Sequence, residues 1–197
     1  MGASFRMLLV VPVFLGLVSL APVTATAGGT SVSIGGGWLM PAGDFSDVAK
    51  SGWQVFGGFD VPLASRFSLG FDGAYSPLKT TDAFLTANGA EPGTLDEGKV
   101  TLWRGGAHGD YLLGQGQTIP FLRAGVGAYG VKTKVTTLFF GDHEASDVKA
   151  GVSLGAGLLF KPEFGGSFEL GAAYHRVSGG GVSFSELRIA WRWGGGE

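Results

Sequence analysis

The stretch Ser185-Glu186-Leu187-Arg188-Ile189-Ala190-Trp191-Arg192-Trp193 alternates without interruption between large apolar residues and charged or small ones, and it closes on two tryptophans. Successive residues of a strand face opposite sides. One face therefore carries Leu187, Ile189, Trp191 and Trp193, and the other Glu186, Arg188, Ala190 and Arg192. A greasy face with an aromatic rim, backed by a charged face, suits a strand in the wall of a membrane-embedded barrel. A helix of the same residues would scatter both sets around its circumference.

The N-terminus has the parts of a secretory signal: Arg6, an apolar run from Met7 to Leu20, and Ala25-Thr26-Ala27 as a small-x-small cleavage site. The run is short of the roughly 20 apolar residues that span a bilayer as a helix, and Pro12 interrupts it. Residues 1–27 are expected to be a signal peptide, 28–193 a barrel and 194–197 a flexible tail. No later run is long and apolar enough for a membrane helix. Losing Arg6 lowers the basic count from 14 to 13 against 16 acidic residues, a mature net charge of −3, which gives no reason to expect nucleic acid as a partner. With no cysteine, thiol catalysis and metal–thiolate sites are out of reach. Charged residues are only 15% of the chain, against about 25% in ordinary soluble domains. A soluble barrel must coat its outer face with charge, and this chain has little.

Period-two alternation gives eight segments: Ser31 to Met40, Gly52 to Leu63, Phe67 to Ser76, Lys99 to Leu113, Thr118 to Tyr129, Val148 to Lys161, Ser167 to Val177 and Val182 to Trp193. Their connections alternate. Residues 64–66, 114–117 and 162–166 are tight turns, whereas 41–51, 77–98 and 130–147 are long; the last connection, 178–181, is short. Short turns at one end and long loops at the other are the asymmetry of outer-membrane barrels. The expected fold is all-β, an eight-stranded antiparallel up-and-down transmembrane barrel with both termini at the short-turn end.

Parity then assigns faces. An interior charge cluster is expected from Asp60, Asp72, Arg104, Asp110, Arg123, Lys149, Glu169, Glu186, Arg188 and Arg192, with Gln54, His108 and His175 on the same face. Five acids there meet five bases. A barrel of eight strands has an interior that side chains fill, so these groups are expected to pair into a plug. A lipid-facing aromatic girdle is expected from Trp38, Trp53, Phe67, Tyr75, Trp103, Tyr111, Phe160, Phe168, Tyr174, Trp191 and Trp193.

With its signal peptide, the segment Gly-Gly-Trp-Leu-Met-Pro-Ala-Gly-Asp-Phe-Ser-Asp at 36–47 followed by Gly52-Trp53, and its alternating aromatic last strand, the chain resembles the small outer-membrane β-barrel proteins of Gram-negative bacteria, related in shape to the OmpA transmembrane domain and OmpX. The resemblance covers the whole mature chain. It implies an outer-membrane location, transient handling by periplasmic chaperones and the barrel-assembly machinery, and lipopolysaccharide as an outer-leaflet neighbour. Family members usually end on the aromatic itself; here Gly194 to Glu197 follow Trp193.

Two familiar motifs do not carry their usual chemistry. Gly125-Val126-Gly127-Ala128-Tyr129-Gly130 fits G-x-G-x-x-G, and Gly151-Val152-Ser153-Leu154-Gly155 fits G-x-S-x-G, but both lie within strands where no helix follows. Outer-membrane lipid A deacylases pair a His and a Ser at i and i+2; His175 and Ser178 are at i and i+3, on opposite faces. Asp142, His143, Glu144 and Asp147 read as a solvated turn. The adjacent Phe139 and Phe140 are the loop-contact candidates, packing against Phe84 and Leu85 being the bland alternative. The expected role is non-enzymatic, envelope integrity or surface interaction through long loops, with no cofactor and no metal. The alternatives are a small-ligand carrier or narrow channel for hydrophobic compounds, and a lipid A deacylase.

Overall fold

The computed structural model describes residues 29–87, 97–137, 141–163, 165–179 and 181–194. The expected signal peptide lies outside them. Eight strands, β1 (Ser31–Ala42), β2 (Gly52–Ala64), β3 (Phe67–Lys79), β4 (Glu97–Leu112), β5 (Thr118–Thr137), β6 (Gly141–Phe160), β7 (Ser167–Val177) and β8 (Ser183–Gly194), pair in chain order and close on themselves, β8 against β1, all antiparallel. Closure pairs both edges of every strand through the common height of the wall; above it, β6 before Gly151 is paired with β5 alone.

The register fixes the barrel's dimensions. One rung runs from Val32 through Phe59, Phe71, Ala107, Val126, Val152, Arg176 and Ser183, and returns to β1 at Ala42, ten residues from where it started. Eight strands with that stagger, at about 3.3 Å per residue and 4.8 Å between strands, tilt by roughly 40° and form a cylinder of roughly 8 Å backbone radius. Side chains fill such a cylinder. Each residue then climbs about 2.5 Å along the axis, and each step to the next strand along a rung about 3 Å.

Three connections differ from the sequence reading. The segment 130–147 is mostly not a loop: β5 and β6 pair from Thr118↔Phe160 out to Thr137↔Gly141, a hairpin that stands above the rest of the wall. The loops after β1 and β3 hold short helices, α1 (Phe45–Val48) and α2 (Asp82–Ala87), too short to show a helical period in the sequence. Gly194, read as the start of a tail, pairs with Ser31 as the last residue of β8.

Candidate functional site: a sealed interior inside a banded wall

The axial rise sorts inward-facing residues into three layers. Nearest the short turns, Ile119, Phe121 and Leu159 are buried with Leu112 against them. At the loop end a larger cluster joins Leu39, Phe45, Ala49, Leu78, Val100, Leu102, Tyr129, Val177 and Phe184; α1 contributes Phe45 and lies across the mouth. Between this floor and cap, over roughly 17 Å of height, lie the buried ionisable groups.

Glu169 is the hub of the lower half. Its carboxylate accepts from Arg123 (3.2 Å) and Arg192 (2.8 Å to Nε) and lies 3.0 Å from Arg188 Nε. Arg123 also donates twice to Asp110, at 2.7 Å each, and Arg192 lies 3.4 Å from both Asp60 and Asp110. In the upper half Glu186 accepts from Gln54 (2.7 Å) and Arg104 (3.1 Å) and sits 3.3 Å from His175 Nε2. Arg188 joins the halves, reaching Asp72 at 3.4 Å and Glu186 at 3.6 Å with its guanidinium 4.0 Å above the Phe56 ring. The layers interlock: Arg123 lies over Phe121 of the floor, and His175 stacks on Phe184 of the cap with ring centroids 4.5 Å apart. Gly70 makes room for one of these pairs, since a Cβ there would come within 2.4 Å of both Asp60 Oδ1 and His108 Nε2, which are 3.0 Å apart.

Nine of the ten residues read as an interior cluster converge here. Lys149 does not: it has inward parity but sits near the outer rim, where its ammonium pairs with Asp147 at 2.8 Å and donates to the Gly179 carbonyl. Parity gives the face and not the height, and at that height the barrel opens to solvent. The cluster is therefore five carboxylates and four guanidiniums, with His108 between Asp60 and Asp72.

Asp60, His108 and Asp110 bring donor atoms within 4.8 Å of one another, but Arg123 and Arg192 already occupy these carboxylates. A dication there would face two guanidiniums, so the donor set fits an ion-pair cluster and not a metal centre. Tyr129, His175 and Glu186 form a chain, with Tyr129 Oη 2.9 Å from His175 Nδ1, that lies beneath the cap. The adjoining void, bordered by Arg104, His108 and Ser153, measures about 20 Å³, the room of a single water. His175 is buried, while the Ser178 hydroxyl is exposed and donates to the Ala150 carbonyl, so the two are not assembled as base and nucleophile.

The outer wall has the opposite character. Val32, Ile34, Val55, Leu122, Val126, Val152, Leu154, Leu170, Leu187 and Ile189 all point outward and are exposed. Converting the register to height puts the aromatics in two belts. Phe67, Tyr111, Phe160, Phe168, Trp191 and Trp193 lie near the short turns. Trp38, Trp53, Tyr75, Trp103 and Tyr174 lie roughly 18 Å higher, measured at Cα. Phe160, Phe168 and Trp191 are partly buried; the other girdle residues are exposed. Phe139 and Phe140 lie outside the described residues, while Leu85 of α2 is buried against Val135 of the raised hairpin.

A closed antiparallel eight-stranded cylinder with an apolar wall, two aromatic belts and a packed core has the fold of the small outer-membrane barrels. Ail, the attachment invasion locus protein of Yersinia pestis, superposes with a TM-score of 0.60 at 18% identity over 85% of this chain and 100% of Ail. A major outer membrane protein of Thermus thermophilus gives 0.57 at 12% identity over 85% and 100%, and Neisserial surface protein A 0.54 at 14% over 85% and 96%. No protein-family model matches the chain, and no curated protein matches it in sequence.

Proposed function

We propose that the protein resides in a bacterial outer membrane as a non-enzymatic, non-conducting barrel and acts through the surface at its loop end. The observation that carries this reading is the three-layered interior inside a wall that is apolar between two aromatic belts. Such a wall needs hydrocarbon around it; an interior of interlocked arginines and carboxylates under an apolar cap leaves no aqueous path along the axis. Outer-leaflet lipid and lipopolysaccharide are then its neighbours, and periplasmic chaperones and the barrel-assembly machinery its transient partners. Ail and Neisserial surface protein A are by their names an attachment invasion locus protein and a surface protein, and the raised β5–β6 hairpin here gives this chain a prominent surface of its own.

The test is fractionation followed by conductance. The mature protein is expected in the outer-membrane fraction, extracted only by detergent, and in planar bilayers it is expected to give no discrete conductance steps. Recovery from the periplasmic supernatant without detergent would refute the location, and steady unitary conductance would refute the seal.

A second reading, movement of apolar compounds, is supported by one observation: a groove of about 1240 Å³ whose lining includes Leu69, Phe71, Val126, Val152, Tyr174 and Arg176. It runs over the outward-facing residues, so transport by this route would be lateral and not axial.

A further inference from the structure

Along one rung of the barrel Asp60 of β2, Gly70 of β3, His108 of β4 and Gly125 of β5 stand directly opposite one another in turn. Both cross-strand neighbours of His108 are thus glycines. With no side chain on Gly70 in the way, the imidazole reaches across β3 to Asp60, where its Nε2 lies 3.0 Å from Oδ1. Its other nitrogen, Nδ1, lies 3.8 Å from Oδ1 of Asp72. None of the three side chains has more than 12% of its surface exposed.

Without this ring the interior charges do not balance. Five carboxylates, Asp60, Asp72, Asp110, Glu169 and Glu186, meet four guanidiniums, Arg104, Arg123, Arg188 and Arg192, which leaves one negative charge over. Between an apolar floor and an apolar cap, a surplus charge has no solvent to stabilise it. Its place can be read from the distances. Asp110, Glu169 and Glu186 each have a guanidinium nitrogen at 3.0 Å or closer. Asp60 has Arg192 only at 3.4 Å, and Asp72 has Arg104 and Arg188 at 3.3 and 3.4 Å. These two less tightly paired carboxylates are the ones His108 stands between.

A neutral imidazole has one N–H and one lone pair. Whichever nitrogen carried the hydrogen, the other would aim its lone pair at a carboxylate. Only the imidazolium offers a hydrogen to both sides. Moving that proton to Asp60 would instead set a neutral acid against Arg192 and abolish that ion pair. His175 has the contrasting surroundings: Arg104 Nη1 lies 3.1 Å from its Nε2, and the carboxylate beside it, Glu186, already accepts from Arg104 and Gln54. A charged ring there would meet a guanidinium.

We infer that His108 is held as an imidazolium, the fifth cation of the interior, and that its proton supplies the counter-charge a bound cation would otherwise provide. The inference rests on the sealed interior proposed above and adds an electrical condition to it: the plug is neutral as built and draws no ion inward.

The experiment uses the full mature chain, labelled with nitrogen-15 and folded into nanodiscs, with the imidazole nitrogens observed by NMR near neutral pH and assigned by correlation to the backbone. The chain has three histidines, so each ring is resolved. His108 is expected to show two protonated ring nitrogens, each coupled to its own hydrogen, and His175 only one. Urea unfolding in vesicles gives a second readout. His108→Gln is expected to lower the folding equilibrium constant about a hundredfold, because it strands a buried carboxylate. Adding Asp60→Asn removes that stranded charge, and the double variant is expected to recover about tenfold of the loss. A histidine that served only as a neutral spacer would give the reverse, a double variant weaker than His108→Gln. If His108→Gln does not fold, the ring spectrum of the wild type decides alone. A single protonated nitrogen on His108, or a double variant weaker than the single one, overturns the imidazolium. Unitary conductance in planar bilayers overturns the seal on which it rests, whereas a singly protonated ring in a barrel that stays silent overturns the imidazolium alone.

Discussion

Replacing Glu169 by Gln tests the interior most directly. The carboxylate is fully buried and touches three guanidiniums, those of Arg123, Arg188 and Arg192. Gln keeps the shape but turns one acceptor oxygen into an NH₂ donor, which then faces cationic donors only. Breaking a buried pair by removing one partner costs about 3–5 kcal/mol. Each arginine here retains other carboxylates: Asp110 for Arg123, Asp72 and Glu186 for Arg188, and Asp60 and Asp110 for Arg192. No guanidinium is left wholly uncompensated, which places the expected loss at the lower end, about 3 kcal/mol. The matched control is Glu144→Gln, which removes the half-exposed Lys132–Glu144 pair and is expected to cost about 0–1 kcal/mol. Both are measured by reversible urea unfolding in lipid vesicles, following tryptophan fluorescence and the heat-dependent gel shift together. If Glu169→Gln unfolds at the same urea concentration as Glu144→Gln, water reaches the cluster and the interior is not sealed.

Other substitutions probe the remaining layers. Phe184→Ala removes a fully buried ring from the cap and is expected to cost about 3–5 kcal/mol in the same unfolding assay. Gly70→Ala forces apart Asp60 and His108 and is expected to cost about 1–3 kcal/mol, whereas Gly105→Ala, whose Cβ would meet nothing within 4 Å, is expected to be neutral. Leu154→Lys alters the most exposed large hydrophobic side chain among the described residues, at 68%, between the two belts. In a bilayer it is expected to cost about 2–4 kcal/mol, read as a lower folded fraction in vesicles; unchanged folding there would mean that this face does not meet lipid.

Strand number, strand order and facing were legible in the sequence because closure imposes one rule, alternation, on every segment. Depth was not. Leu39, Leu78, Val100 and Leu102 share the inward parity of Arg104, yet they form the cap because they lie closer to the loop end. A two-residue period carries no information about position along the axis; that requires the stagger, which the sequence does not display. The same gap accounts for Lys149. The β5–β6 extension has another reason: its inward face is covered only by the short helix α2, where Leu85 meets Val135, and no second strand pair repeats its pattern, so in the sequence Lys132 to Val135 reads as a polar loop.

The seam between β1 and β8 joins twelve consecutive positions, Ser31 through Ala42, to the opposite end of the chain. Every other strand pair is a hairpin that can form as soon as its two halves exist, but this one waits until the whole polypeptide is available. Until it forms, two strands carry bare amide edges that hydrocarbon cannot tolerate. In the bilayer location proposed above, residence is thus all or nothing: a chain cut short by even one strand has no halfway barrel to fall back on. Once the ring is shut, those twelve rungs stand between the closed barrel and one with two bare edges.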